Sequence, residues 1–411
     1  MSTSVIAPSS GRLITVVIPD ASTGAAGLVQ LCENGASTSG RAVQGNDTRL
    51  GNPGSAVLGL ATWAGTGAGG NLSVDGTTTP SWGSWSTVGG VRTLTVTSSA
   101  TIEYDTFTFD FTTYSSIAIV SKGAKFVVRS IVSTGTGTGY CDWNGGDASG
   151  LTSGVGAAAV ASSAPLAGGQ TGSTGRATSG GGTSPGSYNQ GLCLGGVGGA
   201  GGAAGGSEGG GAGTLARDFT PGTSLYGSIV DFALTGCGSS WTNAVGKNNF
   251  QLSGGGGGAS GAHQVTGASG GGGGGGGAQI WLVGEIDFGA NTLYFRSRGG
   301  NGGAGVATST TGTSGGGGGG GGGAVILIVG SVTGTVTLQA NGGDGGNGST
   351  VDADVGYGGA GGNGGLVACV YGSGTAPTGT ATGGTGGTAS DTTPASNGTN
   401  GTVHIVSAVI T

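Results

Sequence analysis

The sequence predicts an all-β protein, elongated and essentially without helix, in which β-solenoid-like or β-sandwich strands alternate with glycine-rich, polyglycine-II-like layers. Three observations carry this. First, two uninterrupted glycine runs, Gly270 to Gly277 and Gly315 to Gly323, each feed an apolar strand, Ala278-Gln279-Ile280-Trp281-Leu282-Val283 and Ala324-Val325-Ile326-Leu327-Ile328-Val329. Glycine loses the most backbone entropy on folding and buries no side chain, so such a run is either a linker or a place where bare backbones pack closely. Second, the run-into-strand unit recurs about 45 residues apart, the mark of stacked repeats whose core no single copy could bury. Third, Gly, Ser and Thr dominate while Met, Leu, Glu and Lys are scarce, which leaves little from which to build a helix.

Composition narrows the function classes. Of 411 residues, 107 are Gly and 9 are Pro, yet the glycines interleave with Val, Ile, Phe and Tyr strands, unlike a disordered low-complexity tail. Charged residues make up only 7 %, with a formal net charge of -6 and no basic patch, which argues against nucleic-acid binding. No apolar stretch approaches the ~18 residues of a membrane helix, so no membrane insertion is expected. Met1-Ser2-Thr3-Ser4-Val5 does not open a charged and then apolar leader, so export by a signal peptide is not expected. Cys32, Cys141, Cys193, Cys237 and Cys369 are scattered without a C-x-x-C spacing. Free thiols in a chain folded in a reducing cytoplasm are expected, and neither a metal site nor a cofactor.

Residues 1–20 contain a strand, Leu13-Ile14-Thr15-Val16-Val17-Ile18, apolar on both faces and closed by Pro19-Asp20. It suits either the first strand of the local fold or attachment to a larger assembly. Residues 21–53 follow as a joint. Within them Gly27-Leu28-Val29-Gln30-Leu31 precedes Thr38-Ser39-Gly40-Arg41-Ala42-Val43-Gln44-Gly45-Asn46-Asp47-Thr48-Arg49-Leu50. Asn46-Asp47 has the chemistry of a turn, and Arg41, Asp47 and Arg49 can pair within or between chains. This stretch of about 30 residues resembles the short repeat of bacteriophage tail fibre proteins, in which a G-[LIV]-V-Q-L strand leads to a T-S-G-R-x-V-Q-x-[ND]-D-[ST]-R-L segment.

After the turn cluster Gly51-Asn52-Pro53-Gly54, residues 54–134 form a β-rich domain. Its strand cores are Leu94-Thr95-Val96, Ile102-Glu103-Tyr104, Phe107 to Phe111, Ile117-Ala118-Ile119 and Phe126-Val127-Val128. Apolar and polar residues mostly alternate, so one face is buried. Without hairpin dipeptides such as Asn-Gly, a coiled parallel arrangement is as open as a sandwich. The progression from Gly90-Val91-Arg92-Thr93-Leu94 through Tyr114-Ser115-Ser116-Ile117 is also similar to glycine-rich phage fibre proteins, where a strand stack precedes the first glycine block. Residues 135–260 are glycine-rich loops with aromatic anchors, and a strand unit at Ser228–Leu234. Residues 261–411 hold the repeats. The first two end in Gly299-Gly300-Asn301-Gly302-Gly303 and Asn341-Gly342-Gly343-Asp344-Gly345-Gly346, and a degenerate third is Gly361-Gly362-Asn363-Gly364-Gly365-Leu366 to Val370. Side-by-side glycine segments can pair their amides and carbonyls, the logic that places glycine at the collagen axis, though the period here is not Gly-X-Y.

Candidate chemistry is sparse. Glu103 with Asp105, and Glu285 with Asp287, lie two apart on a strand face, which spaces carboxyls by ~6–7 Å, near glycosidase geometry. The competing reading is a set of solvent-facing charges between buried neighbours. Asp142, Asp147 and Asp218 lack a calcium-loop pattern. His263 and His404 sit in no triad, and the many G-x-G-x-x-G matches are trivial without a strand–turn–helix context. No catalytic residue is assigned. Aromatics beside Asn, Asp and Gln are better binding candidates, because rings stack on sugars while amides read hydroxyls. Tyr140, Trp143, Tyr188, Trp241 and Tyr357 are the receptor-contact candidates; the alternative is that each pins its own loop.

The fibre resemblance implies a homotrimeric virion protein assembled in the host cytoplasm. Residues 1–50 would join other tail or baseplate proteins, and the remainder would contact a bacterial surface glycan or outer-membrane protein. A head fibre or capsid decoration, a tailspike depolymerase, and an ice-binding or matrix protein are the competing classes.

Overall fold

The computed structural model describes residues 2–6, 13–17, 31–32, 42–43, 64–98, 101–156, 166, 168–184, 192–193, 195–204, 252–253, 255, 257–259, 261–264, 267–307, 312–351 and 354–407. The chain divides into two units, 1–62 with 410–411, and 63–409. In the first, β1 (Ser2–Ile6) pairs antiparallel with β2 (Leu13–Val17), and β3 (Leu31–Cys32) pairs parallel with β4 (Ala42–Val43). The other residues of the 27–50 stretch lie outside the described residues.

The second unit begins with β5 (Asn71–Val74), β6 (Gly83–Val88), β7 (Val91–Val96), β8 (Thr101–Asp110), β9 (Ser116–Val120), β10 (Lys125–Thr134) and β11 (Thr138–Asp142). Two-residue strands follow: β12 (Leu192–Cys193), β13 (Leu252–Ser253), β14 (His263–Gln264) and β15 (Gly267–Ala268). The long β16 (Ala278–Arg296) is followed by β17 (Val306–Ala307), β18 (Thr313–Ser314) and a second long strand, β19 (Ala324–Gln339). The last are β20 (Ser349–Thr350), β21 (Leu366–Gly374), β22 (Thr378–Thr380) and β23 (Thr402–Ser407). No helix occurs among the described residues, so the all-β expectation holds there.

Twelve of these strands make one sheet, curled like half a barrel. Apart from the β6–β7 hairpin, its pairings are parallel. That hairpin departs from the expectation of a chain without hairpin dipeptides. Its two-residue turn is Gly89-Gly90, with φ of 55° and 81°, the positive values that a tight hairpin loop demands. The strand pieces around Trp281 and Tyr294 are one continuous strand, with a register shift between Asp287 and Thr292.

The curl has a local cause. Along β8, β10, β16 and β19 the inward set steps by two and then by three: Ile102, Tyr104, Phe107; Phe126, Val128, Ile131; Trp281, Val283, Ile286; Leu327, Val329, Val332. The step falls at a shared column where Gly284 and Gly330 lie between matched register pairs. Further along, Gly135, Gly289, Gly334 and Gly374 adopt φ of 72°, 52°, 98° and 90°, so the chain turns a second corner after each long strand segment. The concave side holds the apolar core, in which Ile102, Phe126, Trp281, Leu327, Cys369 and Ile405 form one cross-strand column. Ile280, Leu282, Ile326 and Ile328 alternate with that column yet are also buried, so these strands are apolar on both faces.

Between strand segments the chain runs out into a glycine layer. Gly270, Gly273 and Gly276 donate to the carbonyls of Gly315, Gly318 and Gly321. Gly271, Gly274 and Gly277 donate instead to Gly150, Gly146 and Trp143, while Gly272 and Gly275 donate to Ser173 and Gln170. The direction repeats every third residue, the number of residues per turn of a polyproline II helix. Incoming bonds from Gly255, Gly258 and Gly261, from Gly300 and Gly303, and from Gly154 complete the surroundings. The run 315–323 is enclosed in the same way by 259–262, 357–363, 297–303, 196–202 and 343–346. The 135–260 stretch, expected as loops, thus contributes several of the layer's segments.

This packing explains why the central runs are pure glycine: a Cβ on Gly272 would lie 1.8 Å from the Gly258 carbonyl oxygen, and one on Gly318 2.0 Å from that of Gly199. At the rim, one direction in three faces outward, and there side chains return at every third position. Asn341, Asp344 and Asn347 show this, as do Thr382, Thr385 and Thr388. The Asn and Asp oxygens accept amide hydrogens from the next segment: Asn341 from Thr382 (3.0 Å), Asp344 from Thr385 (2.7 Å), Asn347 from Thr388 (2.9 Å) and Asn301 from Asp344 (2.8 Å). The Gly-Gly-Asn-Gly-Gly and Gly-Gly-Asp-Gly-Gly motifs are therefore rim stitches.

Candidate functional site

The outer face of the sheet beyond the second corner gathers the polar and aromatic side chains best placed to meet a ligand. On β11, Gly139 and Cys141 point inward, which turns Thr138, Tyr140 and Asp142 outward. On β16, Leu293 and Phe295 are buried, leaving Thr292, Tyr294 and Arg296 outside. On β19, Val336 and Leu338 are buried and Thr335, Thr337 and Gln339 face out. Because the pairing is parallel and in register, equivalent positions form rows. Tyr140, Tyr294, Thr337 and Thr378 make one; Asp142, Arg296, Gln339 and Thr380 make the next.

The two tyrosine rings stack at 5.5 Å between centroids and 18° between planes. The Arg296 guanidinium carbon lies 3.9 Å from the Tyr140 ring centroid, a cation–π contact. Arg296 also grips Asp142 with both ends of its fork, Nε to Oδ1 at 2.7 Å and Nη2 to Oδ2 at 2.5 Å. Burial works against the Arg296 charge, but the Asp142 hydrogen bonds and charge outweigh it and hold the guanidinium above the ordinary arginine value. Arg298 continues the outward series past buried Ser297, and its backbone amide donates to Asn144 Oδ1 at 2.9 Å. Burial, and then the Arg296 charge, pull Arg298 below the ordinary value.

Of the five aromatic candidates, Tyr140 belongs to this face. Trp143 does not: it is 2 % exposed, and a Cβ on Gly277 would fall 2.2 Å from its ring. Its indole pins the start of the glycine layer, the alternative role for such a residue. Tyr357 is 43 % exposed on a layer segment, with its backbone amide on Ala203 and its carbonyl on Gly316. Tyr188 and Trp241 lie outside the described residues. Sequence reasoning missed Tyr294, Arg296 and Arg298 as site residues. The available signal was the alternation of Thr292, Tyr294 and Arg296 with the apolar Leu293 and Phe295. A second feature without a sequence signal is an open surface depression beside the layer, lined by Thr171, Ser173, Thr174, Arg176, Thr183 and Ser184.

The paired carboxylates have structural partners. Glu103 accepts from the Thr66 amide, from Thr66 Oγ1 at 2.6 Å and from the Gly67 amide at 3.1 Å, and Asp105 pairs with Arg129 at 3.4 Å. Glu285 accepts from Ser130 Oγ at 2.9 Å, and Asp287 from the Gly289 amide at 3.3 Å. Among the described residues no group of three or more His, Cys, Asp or Glu could hold a metal ion. Cys141 and Cys369 are buried thiols outside any disulfide, and burial pushes the Cys369 thiol up to about 12.

Asp75 caps its own loop. Its carboxylate accepts the Thr77 and Thr78 amides at 2.7 Å and both hydroxyls at 2.9 and 2.8 Å. Partial burial pulls the other way, but these bonds bring its pKa down to about 2. A depressed folded-state value stabilises the fold above the unfolded value of about 4, and the effect fades as pH falls toward 2. Asp75→Asn is expected to flatten the pH dependence of stability between those limits, measured by denaturant titration at each pH; an unchanged slope would refute the cap.

No protein family, curated protein or solved structure matches this chain.

Proposed function

We propose that the chain is a bacteriophage virion protein, a tail fibre or receptor-binding fibre, whose outer β face around Tyr140 and Tyr294 binds the bacterial surface. The observation that carries this reading is the pairing of two repetitive parts: parallel strands in register, and a glycine layer whose interior amides are spent on neighbouring segments. Such material is stiff, compact and almost uncharged. It suits a β-solenoid shaft with polyglycine-II-like layers, repeated about a trimer axis in a particle that survives outside cells. The likeness of residues 27–31 and 38–50 to the tail fibre repeat supports attachment through residues 1–50 to tail or baseplate proteins.

On this reading the Tyr140 row descends from two phenol rings to two threonines. It forms a ledge where a sugar ring stacks against an aromatic and meets hydroxyls, and a surface glycan fits it better than a catalytic role. Immunogold labelling of intact particles tests the assignment: label on the tail is expected, and label confined to the head would favour a capsid fibre. Tyr294→Ala is expected to lower host-cell adsorption about tenfold, since an anchoring ring contributes more than ~1.4 kcal/mol to binding. Its thermal stability should stay close to that of the parent. Full adsorption by a folded Tyr294→Ala protein would remove this face from the proposal.

A further inference from the structure

The geometry points to a carboxylated sugar as the ligand of this face, with its carboxylate held by the guanidinium of Arg298. The inference rests on the adhesin reading above and names the ligand class for the same site.

Two arginines stand in the outward series, and they differ in what they already hold. Arg296 is saturated along its fork by Asp142, and its flat face lies on Tyr140. It positions the ring and is closed to a second bidentate partner. Arg298 has its backbone anchored by Asn144, but its guanidinium makes no hydrogen bond or ion pair with a described residue. A partly buried, permanently charged fork whose donors no described residue occupies matches a carboxylate in geometry as well as in sign.

The neighbourhood agrees. Asp142 is neutralised by Arg296, and Asp147 has one carboxylate oxygen on the Asn301 amide at 2.7 Å. Both act on Arg298 as charges and not as bonded partners, and Tyr140 belongs to the same surroundings. Burial and the adjacent Arg296 make the Arg298 charge costly in the free protein, and an incoming anion would supply the counter-charge that offsets the Arg296 repulsion. A uronic acid offers the two required parts: an apolar ring face for Tyr294, and a carboxylate on the ring edge for Arg298.

Calorimetric titration of the full-length protein with tetragalacturonic acid and with its neutral galactose tetramer tests this. The acidic tetramer is expected to bind at least tenfold more tightly, with affinity falling as salt rises. Arg298→Gln should remove that preference, so that the two tetramers bind the variant equally. Arg298→Lys keeps the charge without the fork and should retain only part of the preference. Equal binding of the two tetramers by the parent, or an undiminished preference in Arg298→Gln, overturns the acidic ligand and leaves the adhesin reading standing. Binding of neither tetramer overturns this inference together with the glycan-binding reading of the face. An unfolded Arg298→Gln protein passes the decision to the parent comparison and to Arg298→Lys, which each suffice.

Discussion

Gly320→Ala is expected to be among the most damaging single-methyl additions in the molecule. The new Cβ would sit 2.1 Å from the Gly274 carbonyl oxygen and 2.5 Å from its carbon, where contacts below 3.0 Å force a shift. Nothing nearby can shift cheaply. The Gly274 amide is bonded to Gly146 and its carbonyl receives Gly300; Gly320 itself donates to Gly300 and accepts from Gly343. Overpacking of ordinary cores costs about 1–3 kcal/mol because side chains can adjust. Here the obstacle is backbone, and relief would break at least one of these hydrogen bonds, so a loss of about 3 kcal/mol or more is expected. Gly70→Ala supplies the comparison: its φ is +69° but nothing lies within 4 Å of the added carbon, so only the left-handed strain of about 1–2 kcal/mol applies. Thermal unfolding of the two variants checks this, and equal shifts would mean that the layer is softer than its contacts imply.

The second large effect is expected at Trp281→Ala. Trp281 is fully buried, stacks on Phe126 at 4.0 Å and 9°, and meets Phe295 edge-on at 5.4 Å. Its Nε1 donates to Gln279 Oε1 at 2.9 Å, and Gln279 Nε2 donates in turn to the Arg296 carbonyl and Ser297 Oγ, each at 2.9 Å. That network sits where the strand emerges from the glycine run, so one side chain ties the apolar core to the start of the layer. Truncation removes the stack, opens a cavity and leaves a buried amide oxygen without its donor. The sum is about 4–5 kcal/mol. Trp281→Phe keeps much of the stack and loses the donor, so about half that loss is expected. Denaturant midpoints for both, with Gln279→Leu to close a double-mutant cycle, separate packing from hydrogen bonding. Equal losses for Trp281→Ala and Trp281→Phe would place the whole effect in the hydrogen bond.

Much of the fold was legible because its period is local. A glycine run of eight or nine residues announces a segment that needs bare backbone, and the strand after it is apolar on both faces. The copies beginning at Gly270, Gly315 and Gly361 do align strand against strand, with Gln279 opposite Val325 and Val325 opposite Val367. The site was less legible because its members come together only through the stacking. Tyr140 and Tyr294 are separated by 154 residues yet occupy the same row. Trp143 looked like a ligand contact beside Asp142 and Asn144, but the space for its ring is supplied by the missing side chain of Gly277. The hairpin at Gly89-Gly90 was hidden in a sequence where paired glycines are commonplace.

The stitched rim also bears on how the protein ages chemically. Asn-Gly is the dipeptide most prone to spontaneous deamidation, because the following amide nitrogen can attack the asparagine side chain and close a succinimide ring. The rim contains Asn301-Gly302, Asn341-Gly342, Asn347-Gly348 and Asn363-Gly364, which in a loose loop would be a line of weak points. Here the attacking nitrogens are tied up: Gly302 donates to Asp344, Gly342 to Thr382, Gly348 to Thr388 and Gly364 to Thr399. The side-chain carbonyls are held as well, with Asn363 Oδ1 accepting from the Thr399 amide at 2.9 Å. Each attacking nitrogen and its target side chain are bonded to the same residue of the neighbouring segment, so ring closure must first break those bonds. The same bonds that order the layer therefore slow its decay, giving a glycine-rich chain a shelf life that its composition alone would deny it.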